Sequence, residues 1–168
     1  MKKNYQLGNV KPFWDKSYKN FPYVRQPLME SEIAEWQSKG YTNFDRFSGS
    51  MYSSKNPMPD WIKKFEGMFD LKNQTYLFYK MKTLEIMPEH QDHYHTYIKL
   101  FNPDVDRIRR VLVFLEDWRP GHYLEVDGNP IVNWQRGDWV KWRNYVPHAA
   151  ANIGTEDRYT LQITGTEL

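Results

Sequence analysis

Hydrophobic residues recur at two different spacings along this chain, and the spacing changes near residue 74. Before that point, Ile33 and Trp36 lie three residues apart, and Gly40 follows as a residue type that commonly ends a helix. This pattern predicts a helix from Glu30 to about Ser38. Residues 1–28 are rich in proline and aromatic side chains with little period, which indicates an irregular arm with one or two short strands.

A second helix is predicted to begin at Pro59-Asp60, because apolar side chains then repeat at helical spacing. Those side chains are Trp61, Ile62, Phe65, Met68 and Phe69. Both predicted helices carry an apolar stripe of the kind that packs on a sheet, and neither carries a cluster of chemical groups. We therefore interpret them as scaffold.

From Gln74 onwards, short apolar runs alternate with turn residues, as is typical of successive β-strands. Strands are predicted at residues 76–87, 96–101, 108–115, 123–126, 131–134, 139–143, 149–152 and 159–164. This many short strands predicts a β-sandwich or barrel. The expected organisation is one domain, mostly β, in which an N-terminal arm and support helices (residues 1–73) precede a β core (residues 74–168).

Composition narrows the class of protein. The 168 residues suit one well-buried domain, and 40% hydrophobic with 26% charged residues is ordinary for a globular chain. The net charge of +2 comes from interspersed charges, so it does not demand a nucleic-acid partner. The chain has no cysteine, which leaves histidine and carboxylates as the strong metal ligands. Because neither a signal peptide nor a run of about 18 apolar residues is visible, a cytoplasmic protein is expected.

Three of the five histidines lie within residues 90–95, together with one carboxylate. In an extended chain, side chains two positions apart point to the same face, so His90 and Asp92 can converge on one point. A divalent metal needs at least a third protein ligand. Downstream, His122 lies in a turn sequence, whereas His148 begins a predicted strand ten residues before Arg158.

The last predicted strand has two different faces. Arg158 and Thr160 share one face, and apolar side chains occupy the other: Tyr159, Leu161 and Ile163. The apolar face should pack against the helices, so Arg158 and Thr160 are expected to point inward. An arginine in the interior is costly unless it meets an anion. A guanidinium beside a hydroxyl is a natural clamp for a carboxylate.

His90-X-Asp92, then His148, then Arg158-X-Thr160 on a strand-rich frame resembles the Fe(II)- and 2-oxoglutarate-dependent oxygenases, most closely their prolyl-hydroxylase-like branch. The resemblance extends over roughly residues 74–166 and does not include the N-terminal part. It implies a double-stranded β-helix, which is a jelly roll or cupin-like barrel, with supporting N-terminal helices. It also implies that His90, Asp92 and His148 are the catalytic metal ligands, in the two-histidine, one-carboxylate arrangement suited to Fe(II).

The same resemblance implies how the cosubstrate binds. The keto acid end of 2-oxoglutarate would chelate the iron, and its far carboxylate would reach Arg158 and Thr160, with the hydroxyl of Tyr79 nearby. Such enzymes use O2 to couple decarboxylation of 2-oxoglutarate to succinate with hydroxylation or another C–H oxidation. The protein contributes binding, orientation and a dry pocket.

The sequence leaves the primary substrate open, because fold alone does not specify function. Proteins, nucleobases, amino acids and small metabolites all remain candidates, and the oligomeric state is equally open. We expect residues 41–54 and 55–59, with the N-terminal arm, to form a lid or substrate wall. The neighbouring arginines at 107, 109 and 110 form a small basic patch, interpreted as a solvated edge or a guide for an anionic substrate.

One alternative is a cupin-like metal-binding protein without oxygenase activity, either an isomerase or a sugar-binding module. That ligand set needs a glutamate shortly after a His-X-His. His93-Tyr94-His95 supplies the first half, but residues 96–100 contain no glutamate. A purely structural β-sandwich leaves the inward Arg158 unexplained. We expect His93, His95 and His122 to be surface groups or neighbours of the ligands.

Overall fold

The structure is a computed structural model, and it describes residues 4–168. The described residues form two antiparallel sheets and two α-helices. The strands are β1 (Tyr5–Asn9), β2 (Val24–Arg25), β3 (Ser50–Ser53), β4 (Leu71–Met81), β5 (Glu85–His90), β6 (Ile108–Phe114), β7 (His122–Val126), β8 (Asn129–Ile131), β9 (Asp138–Arg143), β10 (His148–Asn152) and β11 (Arg158–Glu167). The helices are α1 (Glu30–Ser38) and α2 (His95–Phe101), with short 3-10 helices at Ser17–Asn20, Asp60–Phe65, Met68–Asp70 and Val105–Arg107.

The larger sheet has the strand order β1-β9-β6-β11-β4-β3-β2, and the smaller has β5-β10-β7-β8. Their inner faces meet in one buried cluster, to which the larger sheet contributes Leu112 and Val140 and the smaller contributes Leu124 and Val126. Burying these apolar side chains against each other is the main force that holds the two sheets together. The result is a mostly β sandwich, as the strand pattern predicted, and it is of the jelly-roll kind that the resemblance implied.

The outer face of the larger sheet is covered by the N-terminal half of the chain. There Leu161 and Ile163 of β11 pack in a second buried cluster with Trp61 and Phe65. This packing confirms the expected orientation of β11: its apolar residues face the covering segment, and Arg158 faces the smaller sheet. Three strands from the first 53 residues also extend the larger sheet, since β1 pairs with β9, and β2 and β3 continue it beyond β4.

Helix α1 spans Glu30–Ser38, which confirms the first predicted helix. The second prediction was wrong in type, because two 3-10 helices take the place of one α-helix. Gly67 (φ 76°) and Phe69 (φ 69°) adopt left-handed backbone conformations, which interrupt any continuous right-handed helix there. Within residues 4–168, no helix is both long and apolar enough to cross a membrane.

The predicted strand at residues 96–101 was wrong, because this segment is helix α2. Left-handed residues flank it, Tyr94 at φ 51° and Asn102 at φ 43°, and they separate it from the neighbouring strands. Within the helix, Tyr97 and Phe101 lie one turn apart with ring centroids 5.0 Å from each other. A short apolar run fits helical and strand periods about equally well, and tertiary packing decided this one.

The single strand predicted at residues 76–87 is a pair of strands, β4 and β5. Leu84 adopts φ 68° in the turn between them, and the Glu85 carboxylate accepts a 2.7 Å hydrogen bond from the backbone N–H of Lys82. The turn transfers the chain from the larger sheet to the smaller one, where β5 pairs with β10. That transfer places His90, the last residue of β5, opposite β10. The remaining predicted strands are confirmed, although β8 begins and ends earlier than the predicted residues 131–134.

Candidate functional site

His90, Asp92 and His148 converge at one end of the smaller sheet. His90 on β5 and His148 on β10 are direct partners across the two strands, and their ring centroids are 4.3 Å apart. Asp92 follows two residues after β5 ends. Its Oδ1 lies 4.0 Å from His90 Nε2, and its Oδ2 lies 3.8 Å from His148 Nε2. One potential ligand atom from each residue lies within 4.8 Å of the others, so the three predicted ligands form one group.

Backbone carbonyls determine which ring nitrogen of each histidine carries a proton. His90 Nδ1 lies 2.8 Å from the carbonyl oxygen of Pro88, and His148 Nδ1 lies 3.0 Å from that of Val146. A carbonyl can only accept a hydrogen bond, so each Nδ1 carries a proton, and in the neutral imidazole the lone pair then lies on Nε2. Burial lowers the pKa of His148 to about 4, which keeps its imidazole neutral near pH 7. The two Nε2 atoms, which lie on the side of Asp92, are therefore the potential metal ligands of these histidines.

Asp92 is held by Arg110, whose Nε and Nη2 both lie 3.1 Å from Asp92 Oδ2. Burial alone would raise the pKa of Asp92, but the charge of Arg110, with His148 and His90 nearby, holds that pKa well below its ordinary value. The interpretation of Arg110 as part of a solvated edge was wrong, because its side chain is only 12% exposed. Alternation along β6 could have revealed this, since Arg110 shares its face with the buried Leu112 and Phe114.

Arg158 and Thr160 are almost fully buried, as predicted, at 3% and 1% exposed. Arg158 Nη1 lies 3.3 Å from Met81 Sδ, which is a weak acceptor. Among the described residues, Arg158 Nε, Arg158 Nη2 and Thr160 Oγ1 have no hydrogen-bond partner. Burial lowers the pKa of Arg158 to about 10, and the guanidinium stays charged at neutral pH. Buried, unpartnered donors of this kind indicate an anionic ligand.

A cavity of about 110 Å³ lies between the two sheets, and Thr160 is not among the residues that line it. The three potential metal ligands line it together with Arg158 and Tyr79. The hydroxyl of Tyr79 accepts a 2.6 Å hydrogen bond from the backbone N–H of Gly49, which leaves the hydroxyl proton to donate. The sequence therefore identified side chains that do share one enclosed space.

The other histidines lie outside this group. His93 and His95 are exposed, with ring centroids 5.6 Å apart. His122, expected near the surface or beside the ligands, is 5% exposed on β7. Its Nε2 lies 2.9 Å from the carbonyl oxygen of Glu156, and burial lowers its pKa. This contact gives His122 a structural role between β7 and the turn before β11.

A larger cleft of about 400 Å³ adjoins the cavity. The two spaces share four lining residues: Gln26, Leu77, Asp92 and Arg110. Met51 and Lys55 form part of one wall, and Tyr94 and Tyr97 form part of another. A ligand in this cleft would lie beside the group of potential metal ligands.

No protein-family model and no curated protein sequence matches this chain. Among solved structures, it is similar to a prolyl-4-hydroxylase from Pseudomonas putida, with a TM-score of 0.53 and 16% identity over 82% of this chain and 83% of that one. It is also similar to SnoK, a non-heme alpha-ketoglutarate-dependent carbocyclase from nogalamycin biosynthesis, with a TM-score of 0.59 and 11% identity over 92% of this chain and 84% of that one. At such identities the likeness establishes the fold alone, which this chain shares with both proteins.

Proposed function

We propose that this protein is a non-heme Fe(II)- and 2-oxoglutarate-dependent dioxygenase that oxidises a C–H bond of its primary substrate. The observation that carries the proposal is one shared cavity, lined both by His90, Asp92 and His148 and by Arg158, whose Nε and Nη2 have no hydrogen-bond partner among the described residues. We further propose one domain, in which residues 1–73 support a double-stranded β-helix of residues 74–168.

The donor set fits iron. Two imidazoles with free Nε2 lone pairs and one ionised carboxylate converge, and three protein ligands leave coordination positions for a chelating acid and O2. When bound, Fe(II) and 2-oxoglutarate supply the oxidising chemistry, with succinate and CO2 as products of the cosubstrate. The backbone carbonyls that fix both Nδ1 protons orient the rings before any metal arrives.

The chain's own residues would bind and orient 2-oxoglutarate. Arg158 Nε and Nη2 offer two parallel N–H donors for the far carboxylate, and the Thr160 hydroxyl offers a third. Tyr79, whose hydroxyl already accepts from Gly49, can donate its own proton to the same carboxylate. Leu112, Leu124 and other apolar walls exclude water, which strengthens each of these charged hydrogen bonds.

A cupin-like metal protein without oxygenase activity would share the jelly-roll fold and a group of metal ligands. It would give no role to the buried donors of Arg158 and Thr160, whose desolvation is costly without an anion. The oxygenase proposal accounts for both the metal ligands and these donors.

The test is anaerobic addition of Fe(II) and then 2-oxoglutarate to the purified protein. We expect the weak visible charge-transfer band of that chelate, followed by succinate formation on admission of O2. Arg158→Gln is the matched control, in which Fe(II) should still bind while the band needs far more 2-oxoglutarate. A folded, iron-loaded wild-type protein that gives no band would falsify the proposal.

A further inference from the structure

The lining of the metal cavity carries an excess of positive charge. Two guanidinium groups, Arg158 and Arg110, line it, and Asp92 is the single carboxylate among its lining residues. One positive charge is therefore left over. Loading with Fe(II) and the 2-oxoglutarate dianion adds opposite charges that cancel, so the loaded site keeps that excess. A buried charge without a counter-ion is unfavourable, which favours a further anion.

Arg110 is placed to meet such an anion. It lines both the metal cavity and the larger cleft. Its contacts with Asp92 use Nε and Nη2, on one side of the guanidinium fork. Because a guanidinium has five N–H donors, the side that carries Nη1 is left for a second acceptor.

Tyr94 fixes this arginine and adds a further donor. Its ring lies 5.1 Å from the Arg110 guanidinium carbon, a cation–π contact that holds the plane of the fork. Tyr94 also lines the cleft and is about nine-tenths buried, and among the described residues its hydroxyl makes no hydrogen bond of good geometry, although Asp92 and Arg110 lie close enough to influence its pKa. Its backbone is in the left-handed region (φ 51°), and strained residues of this kind cluster at ligand sites.

We propose that the cleft binds a small-molecule primary substrate through an oxyanion group, a carboxylate or phosphate, which pairs with Arg110 beside Tyr94. The inference deepens the proposed function, since it assumes that the cleft receives the molecule to be oxidised. A cleft of about 400 Å³ is of small-molecule size. Met51 and Leu77 on its walls would contact an apolar part of the substrate.

The experiment uses protein loaded with Zn(II) and 2-oxoglutarate, so that Arg158 is occupied and no oxidation occurs. Saturation-transfer NMR and calorimetry would compare N-acetyl amino acids with their primary amides, and nucleoside 5′-monophosphates with the parent nucleosides. We expect members of one anionic set to bind about 10-fold or more tightly than their neutral partners, in line with a charged hydrogen-bonded pair. Which set binds identifies the source of the oxyanion. Equal binding of anions and neutral partners, or binding of neither, overturns the proposal.

Variants test whether Arg110 is the residue that causes the preference for anions over their neutral partners. Arg110→Met should abolish the preference for anions, and Arg110→Lys should retain part of it because the charge stays while the fork is lost. Arg107→Met is the matched control, since Arg107 is an exposed arginine in the adjacent 3-10 helix and its loss should leave the preference unchanged. An unchanged preference in Arg110→Met contradicts the assignment.

Should Arg110→Met fail to bind Zn(II), Tyr94→Phe provides an independent measurement. It keeps the ring against the guanidinium and removes the hydroxyl, and we expect anions to bind roughly 3- to 10-fold more weakly, as for one neutral donor. Anion affinity equal to that of the wild type would then overturn the assignment. Failure of the two proposals can be told apart: a missing Fe(II)–2-oxoglutarate band refutes the oxygenase, whereas a normal band without anion preference refutes only this inference.

Discussion

His90 and His148 face each other as paired residues of two antiparallel strands, with ring centroids 4.3 Å apart. Strand pairing brings together two imidazoles from distant parts of the sequence, and a register shift interrupts the ladder between His148 and Ala150. Each ring is also fixed by a carbonyl two residues earlier in the chain. If these residues bind a metal as proposed, pairing of this kind would organise the ligands before the metal binds.

Replacement of His148 should remove metal binding. His148→Ala deletes one of three converging ligands, and we expect the affinity for Mn(II) or Fe(II) to fall by more than about 100-fold, beyond the range found for residues that only support a ligand. Electron paramagnetic resonance of free Mn(II) measures this directly. His93→Ala is the control, because His93 is exposed and lies outside the group of ligands. The assignment of His148 fails if both variants bind metal like the wild type.

Replacement of Arg158 should affect the cosubstrate and spare the metal. Truncating one partner of a buried charged pair costs about 2–5 kcal/mol, so Arg158→Gln should weaken 2-oxoglutarate roughly 30-fold or more. Thr160→Val removes one neutral donor and should cost about 1 kcal/mol of binding free energy. Titration of the charge-transfer band at fixed Fe(II) gives both values. If Arg158→Gln lost affinity for iron and for 2-oxoglutarate to a similar extent, this arginine would be structural.

Tyr79→Phe separates a structural role of this hydroxyl from a binding role. The variant leaves the buried N–H of Gly49 without its acceptor, so we expect the free energy of unfolding to fall by about 1–3 kcal/mol. If the hydroxyl also donates to 2-oxoglutarate, the affinity for the cosubstrate falls by about 5-fold as well. Denaturant unfolding and the same band titration measure the two effects. A loss of stability with unchanged cosubstrate affinity would show that Tyr79 is structural.

The metal-free protein should lose stability in mild acid. The pKa of His148 is about 4 in the folded state, against 6.5 as the ordinary value, so the unfolded chain takes up a proton first. The stabilising contribution is therefore complete above pH 6.5 and is lost as the pH falls towards 4, by about 3 kcal/mol. Burial also lowers the pKa of His122, so this residue contributes to the pH dependence of stability in the same direction. Between pH 7 and pH 4, the free energy of unfolding measured with denaturant should therefore depend more steeply on pH in the wild type than in His148→Asn.

The control for this pH dependence is His93→Asn, which removes an exposed histidine. It should follow the wild-type profile across the same range. If His148→Asn and the wild type lose stability in parallel, the burial of a neutral His148 does not account for the effect.

Much of the site could be predicted from the sequence, because it depends on local order along strands. Because side chains alternate between the two faces of β11, Arg158 was predicted to lie on the opposite face from Leu161 and Ile163. The packing of the sheet confirms this prediction. The position of His148 at the start of β10 was also visible as a turn followed by a short strand. These features can be predicted because successive side chains of any β-strand point to opposite faces of the sheet.

Other features depended on contacts between distant segments. The change from strand to helix at His95–Phe101 could not be decided locally, because its seven apolar and polar residues fit either period. The role of Arg110 was missed for a related reason. Its place on the inner face of β6 was readable, but its partner Asp92 is brought to it only when the turn at Leu84 transfers β5 to the second sheet.

Residue order along the chain was enough to predict a mostly β domain and an inward Arg158, because both follow from strand period, and the resemblance to a known family implied the ligand set of His90, Asp92 and His148. Contacts between distant segments bring the ligands together, leave Arg158 Nε and Nη2 without a hydrogen-bond partner among the described residues, and join Arg110 to Asp92 at the boundary of two cavities. The physical reason is that burial and pairing are properties of two sheets facing each other. Desolvation and charge, which give these groups their chemistry, arise only when the sheets exclude water between them.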